Sequence, residues 1–271
     1  MFKMDYHTHS NLSDGTADIS AMAAAAHTRG LNEIAITDHI DFTFPERNII
    51  STFGAPANAA ANVEAIKTAQ SAFDGRIKIL VGMEMSIRDD CAVQCNAVAD
   101  AHDFDIIIGS AHDMDGLDFS SPEMFCGRTK DMVHKMYLEN MLSAVLACDC
   151  FDVLGHFDYV ERYGPYRGRP IEYAGCRDII DEILLALIRS GRGIEINTGG
   201  IAYMGRAHPR LPVLKRYFEL GGQIVTTGSD AHSPDEVGRG LDAAHELLRA
   251  AGAKYITRFS ARQPEFLPIA K

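Results

Sequence analysis

The sequence predicts an α/β protein whose parallel strands close into a barrel, and three observations lead to this fold class. Short apolar, β-branched runs alternate strictly with helical patterns, as in units joined by right-handed crossovers. The runs are almost continuously apolar, which is typical of strands covered on both faces. The length of 271 residues suits a barrel formed as one unit. A doubly wound open sheet is the alternative, but no glycine-rich phosphate loop follows the first strand.

Seven strands and seven helices are expected. The strands are predicted at 2–9, 33–39, 77–85, 104–112, 151–156, 193–198 and 223–232. The helices are predicted at 17–30, 62–73, 92–102, 133–148, 177–191, 211–222 and 234–252. The first helix has Asp18 near its start and Gly30 as a stop signal. Because no linker, low-complexity tract or repeat divides the chain, residues 1–271 are expected to form a single domain.

The net charge of −11 argues against a nucleic-acid or membrane surface, since both need basic patches. No segment approaches the ~18 consecutive apolar residues that a membrane span requires. The opening residues lack the apolar core of a signal peptide, so we expect a cytoplasmic protein. The cysteines form no CxxC pair and are expected to be reduced, mostly buried thiols rather than a zinc knuckle. They are Cys91, Cys95, Cys126, Cys148, Cys150 and Cys176.

Six of the predicted strands end in histidine, aspartate or glutamate. His7 and His9 lie one residue apart on the first strand, so both imidazoles would point to the same side. The candidate metal ligands are His7, His9, Asp14, His39, Glu84, His112, His156, Asp230 and His232. The carboxyl ends of barrel strands meet on one face, where so many uncompensated polar groups would cost several kcal/mol each. The pattern therefore predicts a multinuclear metal site. Four other histidines are not candidate ligands: His27, His102 and His245 are expected on helix surfaces, and His134 is excluded because it lies near a predicted helix.

The motifs HTH…SDG, ITDH, GME, SAH, GH and GSDAH resemble those of the polymerase and histidinol phosphatase (PHP) family over nearly the whole chain. The resemblance implies a distorted (β/α)₇, TIM-like barrel with three divalent metal ions at the carboxyl ends of its strands. It also implies three ligand sets: His7, His9, Glu84 and Asp230; then Glu84, His112 and His156; then Asp14, His39 and His232. Mixed imidazole and carboxylate ligands suit Zn, Fe or Mn and do not choose among them.

The resemblance implies hydrolysis of a small phosphomonoester. The nucleophile would be a hydroxide bridging the first two metals, held by Glu84, His7, His9, His112, His156 and Asp230. The sequence does not identify the general acid. Asp38 and His208 are candidates, and stabilisation by the metals alone is the alternative. Arginine forks match phosphate oxygens, and Arg162 and Arg206 are the predicted substrate ligands, from loops that also carry Arg167, Arg169 and Arg210.

Within the family, the segments SAHDMDGLDF, GHFDYVERYG and DHIDFTFPE resemble the histidine-biosynthetic phosphatases. That branch converts L-histidinol phosphate and water to L-histidinol and phosphate. Two long loops, at 40–58 and 113–130, follow strand ends on the active-site face and suggest lids or binding loops. Their carboxylates could bind the substrate amine: Asp41, Glu46, Asp115 and Asp118. Tyr159, Tyr163 and Tyr203 could line the substrate pocket or serve packing.

Three alternatives stay open. A nucleotide phosphatase or 3′-5′ exonuclease of the same family would keep the metals, although an exonuclease should show a basic groove. An amidohydrolase also opens with HxH, but it commonly bridges its metals with a lysine on the fourth strand, where this chain has none. A structural metal module without catalysis would close its coordination with protein ligands. The sequence leaves the oligomeric state open.

Overall fold

A computed structural model describes residues 2–42, 59–114 and 116–269. Seven parallel strands form the sheet, and they are consecutive neighbours: β1 (Met4–Asp5), β2 (Glu33–Ile36), β4 (Lys78–Ser86), β5 (Ile106–Ser110), β8 (Val153–Leu154), β9 (Gly193–Asn197) and β10 (Val225–Gly228). A short strand, β3 (His39–Ile40), continues beside β4. The amide of Tyr6 donates to the carbonyl of Thr227 over 2.9 Å, and the amide of Asp230 donates to that of His7 over 2.9 Å. These bonds join β10 to β1, which confirms the predicted parallel barrel.

Helices cover the outside of the barrel. They are α1 (Ile19–Thr28), α2 (Ala59–Ala72), α3 (Ala92–Ala101), α4 (Lys130–Ala147), α5 (Arg177–Arg189), α6 (Gly200–Met204), α7 (Leu211–Glu219) and α8 (Leu241–Ala251). All seven predicted helices are present, although the last begins at Leu241 rather than at 234, and the short α6 was not predicted. The carboxylate of Asp18 accepts a hydrogen bond from the Ala21 amide over 2.8 Å and caps α1, as expected. Gly30, with φ of +70°, ends that segment.

The barrel strands are buried because their side chains are apolar on both faces. Ile34, Ile36, Leu80 and Ile107 are each 0% exposed, and the register places Leu80 on the opposite face of the sheet from the other three, so both faces are covered. Close packing continues at the backbone of β5, where a Cβ on Gly109 would lie 2.5 Å from Cγ of Phe151. The packed strands therefore form a rigid support for the polar side chains at their ends.

A carboxyl-terminal hairpin, absent from the sequence prediction, follows the barrel. It pairs β11 (Tyr255–Ser260) with β12 (Gln263–Pro268). Its turn places Ala261 and Arg262 at φ of 48° and 61°, a conformation that usually takes glycine or asparagine. Asp105 holds the turn, since its carboxylate accepts from the Ala261 amide (3.0 Å) and its carbonyl accepts from the Arg262 amide (2.9 Å). Asp105 precedes β5, so this turn lies at the amino ends of the strands.

The two long loops differ in what the structure describes. Residues 43–58 of the first lie outside the described residues, and so does Asp115 of the second. The rest of the second loop forms an antiparallel pair, β6 (Asp113–Met114) with β7 (Leu117–Asp118), followed by a turn of 3₁₀ helix at Pro122–Phe125. Among the helices that the structure describes, none has the length and apolar character needed to cross a membrane.

Candidate metal centre

The ends of β1, β2, β4 and β10 bring histidines from distant parts of the chain into contact. Thr8 pairs with Ala231 and turns its hydroxyl to the carbonyl of Ala35 (2.7 Å), so His7 and His9 project to the opposite side. The rings of His9 and His39 stack with centroids 4.3 Å apart, and His232 stacks on His9 at the same distance. Strand alternation therefore places both HxH imidazoles in the polar cluster, as predicted.

Glu84 lies at the centre of this cluster and is 0% exposed. Its carboxylate oxygens lie within 3.5 Å of a ring nitrogen on five histidines: His156 (2.9 Å), His39 (3.0 Å), His112 (3.1 Å), His7 (3.2 Å) and His9 (3.5 Å). Burial by itself raises the pKa of Glu84, but the charges of His7 and His112 hold that pKa well below its usual range. Glu84 is therefore the ionised hub that joins the rings.

Burial lowers the pKa of His39 and of His156 to about 4 each. Both rings are neutral at pH 7, which is the protonation state that binds a metal ion. Burial also lowers the pKa of His9. The cluster therefore includes neutral imidazoles, whose nitrogen lone pairs can bind a metal ion.

Several buried polar atoms of the cluster lie near one another but make no hydrogen bond within the described residues. Within the described ranges, no partner bonds to Nε2 of His7, to either ring nitrogen of His9, or to Oε2 of Glu84. Such atoms cost about 1–3 kcal/mol each when nothing compensates them. Divalent cations would bind these atoms directly, so the residues present fit a metal centre.

All nine predicted ligands fall in overlapping groups whose ligand atoms lie within 4.8 Å of one another. The groups are His9, Asp14, His39 and His232; His7, His9 and Asp230; His7, Glu84 and His156; and His39, Glu84 and His112. Asp14, His39 and His232 are together, as expected, and His9 joins them. His112 and His156 both contact Glu84 but belong to different groups. The cluster is thus observed, whereas its division among three particular ions stays a prediction.

Glu195 on β9 is a buried residue of the site that the sequence interpretation missed, because the sixth strand was judged by its end alone. Its Oε1 lies 2.7 Å from Nδ1 of His7, and its Oε2 accepts from the His156 amide over 3.0 Å. A carboxylate on the far nitrogen of a metal-binding histidine fixes the ring's tautomer and direction. The available signal was a single charged residue within the apolar run GIEIN.

Arg162 reaches the edge of the cluster from the loop after β8. Its guanidinium donates to Oδ2 of Asp230 (3.0 Å), to Oδ1 of Asn197 (3.1 Å) and to Nε2 of His208 (3.1 Å). It also lies over the ring of Tyr159, 4.7 Å from the centroid. The arginine is therefore oriented by four neighbours beside the predicted metal ligands.

Arg206 occupies a different position. It pairs with Asp158 (3.3 Å) and with Glu161, two buried carboxylates, and it is absent from the described lining of the cavity above the cluster. Arg167, which the sequence interpretation did not prefer, does line this cavity. A role for Arg206 in substrate binding stays a prediction.

Both candidates for the general acid are held by protein groups. Asp38 accepts hydrogen bonds from the amide of Ser10 (2.6 Å) and from the hydroxyls of Ser10 and Ser13 (2.7 Å each), so it anchors the loop after β1. His208 is 0% exposed and binds Asp158 through Nδ1. Neither is among the described residues that line the cavity.

A cavity of about 910 Å³ opens above the cluster. Beside the metal ligands it is lined by two arginines, by the predicted tyrosines and by the β6–β7 pair: Arg162, Arg167, Tyr159, Tyr163, Tyr203, Gly116, Leu117 and Asp118. Asp41 also lines it, whereas Glu46 lies outside the described residues, as Asp115 does. The cavity therefore brings arginines, tyrosines and carboxylates together above one cluster.

The remaining histidines were partly misjudged. His27 is exposed and His102 is half-buried, but His245 is only 3% exposed, so its prediction as a surface residue is wrong. His245 lies on the inner face of α8 beside Ala244 and near Leu248, both fully buried. A helix that packs on a barrel buries one face, and a histidine on that face is buried with it.

Comparison with known proteins agrees with this geometry. The PHP domain model matches residues 5–199. A histidinol-phosphatase from Lactococcus lactis subsp. lactis is 31% identical over 264 residues, covering 96% of this chain and 95% of that protein. A "probable histidinol-phosphatase" from Clostridium acetobutylicum is 30% identical, covering 92% of this chain and 94% of that protein.

Solved structures give the same relationship. The Lactococcus lactis histidinol phosphate phosphatase, crystallised with zinc, L-histidinol and phosphate, superposes with a TM-score of 0.86 at 30% identity, covering 97% of this chain and 98% of that one. A Listeria monocytogenes structure shares the fold, with a TM-score of 0.77 at 18% identity, 89% of this chain and 99% of that one. The match to the domain model over residues 5–199 places this chain in the PHP domain family.

Proposed function

We propose that this protein is a metal-dependent histidinol-phosphatase, which hydrolyses L-histidinol phosphate to L-histidinol and phosphate. The observation that carries the proposal is the cluster of five imidazoles around Glu84, with Arg162 at its edge and a cavity above it. The likeness to the Lactococcus lactis enzyme over 96% of the chain supports the choice of substrate. Histidine biosynthesis, in the cytoplasm, is the corresponding process.

The metal ligands in this proposal are His7, His9, Asp14, His39, Glu84, His112, His156, Asp230 and His232. Three divalent ions, of zinc, iron or manganese, are the proposed complement. When bound, such ions lower the pKa of a coordinated water toward neutrality and neutralise charge on a phosphoryl group. Zinc is the ion named with the Lactococcus lactis structure.

Arg162 supplies the fixed positive charge that a phosphate dianion needs beyond the metals. Its three contacts to Asp230, Asn197 and His208 hold the guanidinium plane, so little side-chain entropy is lost when an anion binds. Glu195 keeps Nε2 of His7 directed into the centre by holding Nδ1. We assign these residues a positioning role.

The rest of the substrate is a cationic amine with a flat imidazole. Asp118, on β7 at the cavity wall, and Asp41 are the carboxylates placed to attract the amine. The hydroxyls of Tyr159 and Tyr163 lie 2.6 Å apart, which fixes two aromatic rings along the same cavity. A cavity lined by aromatic rings and carboxylates as well as arginine suits histidinol phosphate, whose far end is cationic, better than a nucleotide, whose nucleoside part carries no positive charge.

The test compares substrates on metal-loaded protein. We expect kcat/KM for histidinol phosphate to exceed that for AMP and for an aryl phosphate by about 100-fold, or roughly 3 kcal/mol. Asp118→Asn should raise KM for histidinol phosphate about tenfold and leave the aryl phosphate, which has no amine, unchanged. Asp103→Asn, at an exposed position away from the cavity, is the matched control. A preference for AMP would instead assign a nucleotide phosphatase of the same family.

A further inference from the structure

Arg88 is a buried cation whose donor groups reach three different segments of the chain. It follows β4, is 7% exposed and is not among the described residues that line the cavity. Its Nε donates to Oδ1 of Asp90 (2.9 Å), and its Nη1 donates to Oδ2 of Asp113 (2.9 Å). Its Nη2 donates to the carbonyl of Phe42 over 3.3 Å. Because the guanidinium is planar and rigid, these contacts fix the three segments relative to one another.

Two of these segments carry the carboxylates at the cavity wall. Phe42 directly follows Asp41, which lines the cavity. Asp113 lies on β6 and is the direct partner of Asp118 on β7, which lines the cavity as well. Oδ1 of Asp118 accepts a hydrogen bond from the Ser120 amide over 2.6 Å, which orients this carboxylate. One guanidinium therefore links the chain beside one wall carboxylate to the strand pair that bears the other.

The β6–β7 pair needs a cation because its two aspartates lie opposite each other. Directly opposed residues of an antiparallel pair share a face, with Cβ atoms about 5 Å apart, and like charges in these positions repel. Arg88 offsets this repulsion by pairing with Asp113 and not with the opposing Asp118. Asn140 on α4 donates to the carbonyl of Asp113 over 3.1 Å and holds the same strand from its backbone. The carboxylate of Asp118 is thus left at the cavity.

We propose that Arg88 is a positioning residue that sets specificity for the cationic end of the substrate, by holding the β6–β7 pair and its Asp118 at the cavity wall. The inference rests on the proposed function, in which this carboxylate attracts the substrate amine. Asp90 lies on a turn of 3₁₀ helix at Asp89–Cys91, which supplies none of the described cavity lining. Its bond to Arg88 therefore anchors the guanidinium rather than the wall.

Arg88→Lys separates geometry from charge, since one ammonium keeps the charge but cannot bridge three segments. In metal-loaded protein, we expect KM for histidinol phosphate to rise about fivefold, whereas KM for an aryl phosphate and both kcat values change less than about twofold. Asp113→Asn, which weakens only the contact to the strand pair, should shift the ratio of the two KM values in the same direction. Asp90→Asn is the matched control, because it weakens an equally short ion pair of the same arginine and should leave that ratio unchanged.

A double-mutant cycle tests whether the effect passes through Asp118. In the Asp118→Asn background, Asp113→Asn should change the KM ratio by less than about twofold, since the carboxylate that it positions is already gone. Two effects that multiply fully would overturn the assignment, because Asp113 would then act on the substrate by another route.

Hydrogen exchange gives a measurement that needs no substrate. The peptide that covers β6 and β7 should exchange faster in Arg88→Lys than in wild-type protein, and at the wild-type rate in Asp90→Asn. Wild-type exchange in Arg88→Lys would overturn the inference. A wild-type enzyme with no preference for histidinol phosphate would contradict the proposed function, whereas a preference that Arg88→Lys leaves intact would contradict the role of Arg88 alone.

Discussion

Two buried glutamates at opposite ends of the barrel have different partners. Glu33 begins β2 at the amino end and is 3% exposed; Glu84 lies toward the carboxyl end of β4 and is 0% exposed. Glu33 pairs with Arg258 (3.0 Å) and Lys78 (3.6 Å) and accepts a hydrogen bond from the Tyr6 hydroxyl. Glu84 is surrounded by imidazoles. The two carboxylates thus differ in their neighbours rather than in their burial.

The difference shows how one fold separates stability from function. At the amino end, buried acids have fixed cations as partners: Glu33 has Arg258, and Asp152 has Arg262 at 3.0 Å. A buried carboxylate of that kind is neutralised within the protein. At the carboxyl end, the partners of Glu84 are imidazoles that titrate and bind metals, and several of their buried nitrogens make no hydrogen bond among the described residues. The first arrangement is complete in itself, and the second is built to receive ions.

The largest expected effect follows from removing the hub charge. Glu84→Gln keeps the shape of the side chain but removes the charge that five histidines share. We expect kcat/KM for histidinol phosphate to fall at least about 1,000-fold, or roughly 4 kcal/mol. Steady-state kinetics at saturating metal measures the change.

Glu33→Gln is the matched control at the other end of the barrel. It should lower the free energy of unfolding by roughly 2 to 3 kcal/mol, since Arg258 and Lys78 lose the buried carboxylate they share, and change kcat/KM less than threefold. Denaturant titration measures the stability change. Similar kinetic losses in both variants would contradict the separation between the two ends.

Manganese binding should distinguish the ends by stability alone. Mn²⁺ prefers imidazole and carboxylate to thiolate ligands, so it reports on the histidine centre rather than on cysteines. At 100 times its Kd, it should stabilise the wild-type protein by about 2.7 kcal/mol, or roughly 5 to 10 °C in Tm. Glu33→Gln should show the same increase and Glu84→Gln little of it. Equal increases in all three proteins would remove Glu84 from the binding site.

A smaller effect is expected at Glu195, which acts on the centre through His7. Glu195→Gln retains an oxygen 2.7 Å from Nδ1 but loses the charge that makes the ring a better ligand. Metal affinity, measured by calorimetry, should fall 10- to 100-fold, or about 1.4 to 2.7 kcal/mol. Unchanged affinity would mean that Glu195 serves packing only.

The barrel and the convergence of the candidate ligands could be predicted because both depend on local patterns. Alternating apolar runs define strands, and a parallel barrel brings the carboxyl ends of those strands together whatever their distance along the chain. Asp14 and Asp230 were therefore found without any knowledge of their contacts. The HxH spacing of His7 and His9 needed only the two-residue period of a strand.

The missed features depend on contacts between distant residues. Glu195 touches His7 across 188 positions, and within its own strand it is a lone acid. The hairpin turn at Ala261 and Arg262 lacks the usual turn residues because Asp105, 156 positions earlier, holds it. The sulfurs of Cys95, Cys148 and Cys150 lie within 4.8 Å of one another, although the spacing of these residues in the sequence does not indicate that they meet. Such pairings leave no periodic signal in the sequence.

The smallest effect concerns His134, which lies near the start of α4 and is 4% exposed. Burial lowers its pKa from 6.5 to about 4, with Lys130 acting in the same direction against Asp131 and Asp158. The unfolded chain binds a proton below pH 6.5 and the folded protein does not, so stability is complete above that pH and is lost as pH falls toward 4.

Wild-type protein should therefore lose roughly 1 to 2 kcal/mol more than His134→Gln between pH 6.5 and 5, as denaturant titrations at each pH would show. The difference between the two proteins isolates this ring, because the histidines of the metal centre titrate in both. Parallel pH profiles would mean that His134 is protonated in the folded state. The pH dependence of unfolding would then contain no contribution from His134.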